Sequence, residues 1–120
     1  MAITLETNAR NAAAEAVGTL LNGGTIEFQT SADAEVATIG LAATAFGSAS
    51  DGTITANTMT ADSDVTGGTT TKFVAKTSGG AAVFGGTVGT SGADINLTDV
   101  TFGAGGTLTL TAFTYTQPAS

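Results

Sequence analysis

The chain has 120 residues, close to the commonest size of a single domain, and its formal net charge of -7 sets ten acids against three cations, Arg10, Lys72 and Lys76. Three scattered cations make no footprint for a phosphate backbone or an anionic membrane surface, so neither nucleic acid nor membrane is an expected partner. His and Cys are both missing, which excludes a disulfide framework and a thiolate metal site and removes the commonest general base.

The apolar content is weaker than its 42% suggests, because it includes 22 Ala, and Leu, Ile, Val and Phe together number only 25. A thin core is expected. The first twenty-one residues lack a basic region followed by an unbroken apolar stretch, and nowhere do about 18 apolar residues run together. Neither a secretory signal nor a membrane span is expected.

Residues 1–6 read as an N-terminal arm and 7–120 as one β-rich domain. In the arm Ile3 and Leu5 alternate, which suits a strand that adds to a neighbour's sheet edge, and equally a frayed terminus. From 9 to 21 the positions Ala9, Ala13, Ala16, Val17, Leu20 and Leu21 recur at helical steps, predicting an amphipathic helix near 8–21. Thr7 or Asn8 is its candidate cap, and Asn22-Gly23-Gly24 supplies a left-handed residue to end it.

Beyond Gly24 the sequence is Thr- and Gly-rich, with 25 Thr over the whole chain. Residues 25–29 alternate, with Ile26 and Phe28 inward and Thr25, Glu27 and Gln29 outward. Further strands are predicted at 36–41, 53–60, 70–77, 81–88, 93–102 and 107–116, and the link from Lys76 to Ala81 reads as an antiparallel hairpin. One helix leaves no room for parallel βαβ units. The expected fold is therefore mainly β: an antiparallel β-sandwich or partly closed barrel of about seven strands with one N-terminal helix. In the last strand Leu108 and Leu110 share one parity and Phe113 and Tyr115 the other. Either a bulge sits near Ala112 or both faces are covered, and a second covered face needs a partner.

Candidate chemistry is sparse. A Ser or Thr nucleophile needs a base, and Lys72 and Lys76 lie four apart on one face of a predicted strand. Asp62 with Asp64, Asp94 with Asp99, and the distant Asp51 with Asp94 are the carboxylate pairs available for glycoside hydrolysis. Asp62-Ser63-Asp64 before Gly67-Gly68 reads better as turn chemistry, with calcium bound by Asp62 and Asp64 as the sharper alternative. The glycines at 79–80, 85–86 and 103–106 neither open a helix nor precede a Lys-Ser/Thr, so they read as turns rather than phosphate cradles. The six Phe and single Tyr are scattered as core aromatics are, and Thr suits the wet face of a sheet. Catalytic, cofactor and metal residues are all expected to be none.

Four segments together carry a resemblance. They are Ala9-Arg10-Asn11-Ala12 opening a helix, Asn22-Gly23-Gly24 before a strand, Ala45-Phe46-Gly47-Ser48-Ala49, and the most specific, Gly86-Thr87-Val88-Gly89-Thr90-Ser91-Gly92-Ala93-Asp94-Ile95-Asn96-Leu97. Over about 9–118 the chain resembles small virion proteins of tailed bacteriophages, and looks similar to a capsid decoration or cement protein. The hairpin Lys72-Phe73-Val74-Ala75-Lys76-Thr77-Ser78-Gly79-Gly80 departs from that pattern, where an aromatic pair and an Asp-rich turn are expected. The resemblance implies a non-enzymatic structural protein without cofactor, made in the bacterial cytoplasm and bound outside the capsid. Its implied partner is the major capsid protein. The alternation of Ile3 and Leu5 makes residues 1–6 the candidate docking arm, and the thin core with the two-faced last strand points to association with other copies, with a trimer in view. A head-fibre, tail or baseplate component, and a glycan-binding module for host attachment, are the alternatives.

Overall fold

The structure, a computed structural model, describes residues 3–118. One helix, α1 (Thr7–Leu20), precedes nine strands: β1 (Thr25–Gln29), β2 (Glu35–Gly40), β3 (Thr53–Thr55), β4 (Gly68–Thr69), β5 (Lys72–Lys76), β6 (Ala82–Gly89), β7 (Ile95–Asn96), β8 (Thr101–Phe102) and β9 (Thr114–Thr116). Five of them form a curled sheet in the order β2-β1-β5-β6-β7, while β3 pairs with β9 and β4 with β8.

Helix α1 begins one step earlier than its candidate caps. Glu6 is the capping residue, with extended φ -77° and ψ 166° and no side-chain cap hydrogen bond, and Thr7 and Asn8 are already helical. A cap must keep non-helical backbone, and that ends at Glu6. The helix stops as expected, with the N–H groups of Leu21 and Asn22 donating to Gly18 O and Thr19 O at 3.0 and 3.2 Å and Gly23 at φ +68°.

The buried face of α1 differs from the predicted one. Ala14, Gly18 and Leu21 are buried and Val17 half-buried, whereas Ala9, Ala16 and Leu20 face solvent, Leu20 at 56% exposure. The reason is close approach: a Cβ on Gly18 would stand 2.9 Å from Ile54 Cδ1 and 3.3 Å from Phe46 Cδ1. A face of small residues lets the backbone come near, and the larger Leu20 is left outside. The start of α1 is clipped to β3 and β9, since Asn11 Oδ1 accepts from Gly52 N at 2.7 Å and Arg10 Nε donates to Gln117 O at 3.0 Å. Gly52, at φ +77°, lies under the guanidinium, where a Cβ would come within 2.9 Å.

Strand β1 coincides with the predicted 25–29, and β2 and β6 lie one residue from the predicted spans. Ile26 and Phe28 point inward, with cross-strand partners Ile39 and Ala37 on β2 and Ala75 and Phe73 on β5. The β5–β6 link is the expected antiparallel hairpin, closed by Thr77 N to Ala81 O at 2.8 Å.

The longer predicted strands are broken. Residues 53–60 keep only β3, then bridge singly at Ala56 to Phe46 and at Thr60 to Gly40. Residues 93–102 split into β7 and β8, which belong to different sheets. β6 and β7 pair in parallel through Val88↔Ile95 and Gly89↔Asn96, against the expected antiparallel pattern. Only two residues pair, so a tight turn with Gly92 at φ +70° replaces the usual long crossover.

Residues 107–113 form no ladder beyond the single bridge Asp62↔Leu108. Leu108, Leu110 and Phe113 are all buried and Thr109, Thr111 and Ala112 exposed. The phase change is thus an irregular pair, Thr111-Ala112, outside any ladder, which lets residues three apart reach the same core.

Candidate interaction surface

The outward face of the curled sheet spends its charges on the chain itself. Lys76 Nζ donates to Glu27 Oε1 at 2.8 Å, and Gln29 Nε2 donates to Glu27 Oε2 at 2.6 Å. The Lys76 and Gln29 hydrogen bonds hold the Glu27 carboxyl below its ordinary value, outweighing the opposing effect of burial. Lys72 pairs with Asp33, and Arg10 is held by Gln117. The two predicted strand lysines therefore lie on one face, as expected, each facing an acid rather than a hydroxyl nucleophile.

The candidate carboxylates are taken up by turns. Asp62 Oδ2 accepts from Thr38 N at 2.8 Å and its Oδ1 from Asp64 N at 3.0 Å. Asp94 Oδ2 accepts from Thr87 N at 2.9 Å and Thr87 Oγ1 at 3.2 Å, while Asp99 Oδ1 accepts from Thr101 N at 3.0 Å. Asp51 sits in a turn at φ +51°. The bonds of Asp62 Oδ1 and Asp99 to backbone two residues on are the ordinary work of Asp in turns, while Asp62 Oδ2 and Asp94 tie their turns to β2 and β6. Among the described residues no group of three or more acids gathers as a metal site. Threonine pairs face solvent, with Thr53 and Thr116 hydroxyls 2.8 Å apart and Thr69 and Thr101 3.0 Å apart.

Sequence reasoning missed a groove. Five aromatic rings assemble across the core: Phe73 stands edge-on to Phe84 and Phe113, with centroids 6.2 and 5.7 Å away, and Phe84 stacks on Tyr115 at 5.0 Å. Phe46 meets Phe113 at 6.0 Å. Phe84 and Tyr115 are only half-buried, although each lies opposite a fully buried residue, Ala75 and Ile54 respectively. Beside them a cleft of about 480 Å³ opens between β6 and β9, lined also by Gly85, Asp94 and Thr114. It continues through a cleft of about 230 Å³ at Ile95 and Ala112 into one of about 430 Å³ along residues 107–112. The available signal was the two-faced pattern of 107–116, in which apolar alternation implied a partner strand that no described segment supplies.

Ahead of α1, the described part of the arm is exposed except at Leu5. Ile3 is 82% exposed and Leu5 is half-buried. No described helix is long and apolar enough to cross a membrane. No family model matches the chain, and neither curated proteins nor solved structures contain a significant match to it.

Proposed function

We propose that this chain is a non-enzymatic structural protein of a tailed-phage virion, which binds the outside of the capsid and stabilises it by bridging neighbouring subunits. The observation that carries the reading is the exposed apolar arm with Ile3 at 82% exposure, leading out of a domain whose cations are all engaged internally. The resemblance over residues 9–118 supports it, with residues 86–97 forming the second half of β6, its turn and β7. A bridging protein needs two weak contacts rather than one strong one. Linking them makes the second effectively intramolecular and raises avidity about 10²- to 10⁴-fold.

For the architecture we favour a partly closed barrel over a sandwich. The curl of the five-stranded sheet supports it, as does the aromatic bridge from β6 to β9, which brings the β3–β9 pair toward the sheet's far edge. The partner in this reading is the major capsid protein, and self-association accompanies it. The protein is made in the bacterial cytoplasm and carried on the capsid exterior.

Two measurements test the function. Copy number per purified particle separates a capsid-wide decoration from a head-fibre, tail or baseplate position, where only a small symmetric set is present. Deleting residues 1–6 lowers occupancy when the protein is added to undecorated heads. Full occupancy by the truncated protein refutes the bridging role of the arm.

A further inference from the structure

The curled sheet has two edges, and they are treated differently. The outer edge of β2 is closed by residues 60–67, through Thr60 N to Gly40 O at 2.8 Å, Gly67 N to Val36 O at 3.2 Å and the Asp62 carboxylate on Thr38 N. The outer edge of β6 is not. β7 covers only Val88 and Gly89, so residues 82–87, paired with β5 on one side, have no described strand on the other. Val88 N donates to Thr71 O on the β5 side at 3.0 Å, and alternation therefore turns the N–H groups of Gly85 and Thr87 outward. Asp94 caps that of Thr87, while that of Gly85 meets no described partner.

Across the groove β9 is also half-paired. Gln117 N donates to Gly52 O and Ala56 N to Phe113 O, both at 2.8 Å, so these groups serve the β3 side. The backbone groups of Thr114 and Thr116 point away from β3, and the amides of residues 109–112 donate to no described residue. Between two unsatisfied strand edges lie the half-exposed rings of Phe84 and Tyr115, the floor that a further strand would cover. Unpaired edges beside apolar surface are templates for strand addition.

We propose that this groove receives the arm of a second copy of the same chain, which adds along β6 with Ile3 and Leu5 over Phe84 and Tyr115. The open stretch ends before Thr87, which Asp94 caps, and leaves residues 82–86, a span that the six-residue arm can cover; alternation puts Ile3 and Leu5 on one face. In the single chain Ile3 is 82% exposed, so the arm does not fill its own groove. Its root is nevertheless close to that groove, because Arg10 is bonded to Gln117, immediately beyond β9. Every copy thus carries donor and acceptor side by side, the arrangement in which exchange of identical elements between protomers costs little. In this arrangement the arm goes to a neighbouring copy, so that on a capsid the bridge between subunits would run through linked copies; it does not need the capsid reading, and its test uses purified protein alone.

The absence of Cys makes engineered disulfides unambiguous. Ile3→Cys is placed in one chain and Thr114→Cys, an exposed groove residue, in a second chain carrying a size tag. Mixed under mild oxidation at micromolar concentration, the two variants are expected to give a covalent heterodimer as the main product. Leu5→Asp in the Ile3→Cys chain is expected to reduce that product at least tenfold and to shift the sedimenting species to monomer. The doubly substituted chain, oxidised when dilute, reports the competing arrangement as a fast-migrating closed monomer. Closed monomer without heterodimer, or no cross-link in either format while both variants retain the native melting profile, overturns the proposal.

Discussion

Replacing Phe113 by Ala tests whether one ring joins the two parts of the core. Phe113 is 5% exposed and lies 5.7 Å from Phe73 on β5, 6.0 Å from Phe84 on β6 and 6.0 Å from Phe46 on the β3 side. Deleting a buried Phe costs about 3–5 kcal/mol in transfer and cavity terms. The neighbours cannot close over the space easily, since three rings from separate segments would have to move together. At roughly 4 °C per kcal/mol for a domain of this size, Tm falls by about 12–20 °C. Phe113→Leu keeps much of the volume and gives up mainly the aromatic edges, costing about 1–2 kcal/mol. Urea unfolding followed by circular dichroism and Tyr fluorescence measures both variants. A loss under about 1 kcal/mol for Phe113→Ala would falsify the view that this ring ties the β3–β9 side to the curled sheet.

Gly18→Ala introduces a methyl 2.9 Å from Ile54 Cδ1, so crowding outweighs the helix-propensity gain of about 1 kcal/mol and the net loss is about 1 kcal/mol. Ile54→Val, which removes that Cδ1, restores part of the loss in the double variant, and simple additivity of the two losses refutes the contact. Lys76→Gln removes the partner of Glu27, whose folded pKa lies below its ordinary 4.5. The wild-type advantage, up to about 1 kcal/mol, is full above that ordinary value and fades as pH falls through the lower folded pKa. Urea midpoints for the two proteins therefore converge near pH 2, and a gap that persists there refutes the assignment to Glu27.

What could be read from the sequence was what local rules decide. β1 is a clean period-two segment with both neighbours present, and it lies where alternation puts it. The Asn22-Gly23-Gly24 stop is equally local, because a left-handed residue needs no distant partner. The buried face of α1 was misread because hydrophobicity favoured Leu20, whereas Gly18 wins its place by having no side chain against Ile54. The split of 93–102 was illegible for a different reason. β7 follows β6 in parallel while β8 joins β4, and no local pattern separates two short strands bound for different sheets. The groove depends on what is missing beside β6, which a single segment's pattern does not carry.

The thin core and the open groove have one cause. With 25 Leu, Ile, Val and Phe in the chain, apolar side chains suffice to fill one concave face of the curled sheet and to seat α1 against β3. They do not suffice to extend the ladder along 107–113, where Thr alternates with Leu108 and Leu110 yet finds no described neighbour on its far side. Closing the sheet within the chain would require another strand bearing two or more apolar residues. The arm has that composition, in the exposed Ile3 and the half-buried Leu5. A chain so divided leaves backbone hydrogen-bonding groups and aromatic surface unsatisfied among the described residues, and such edges are templates for an added strand.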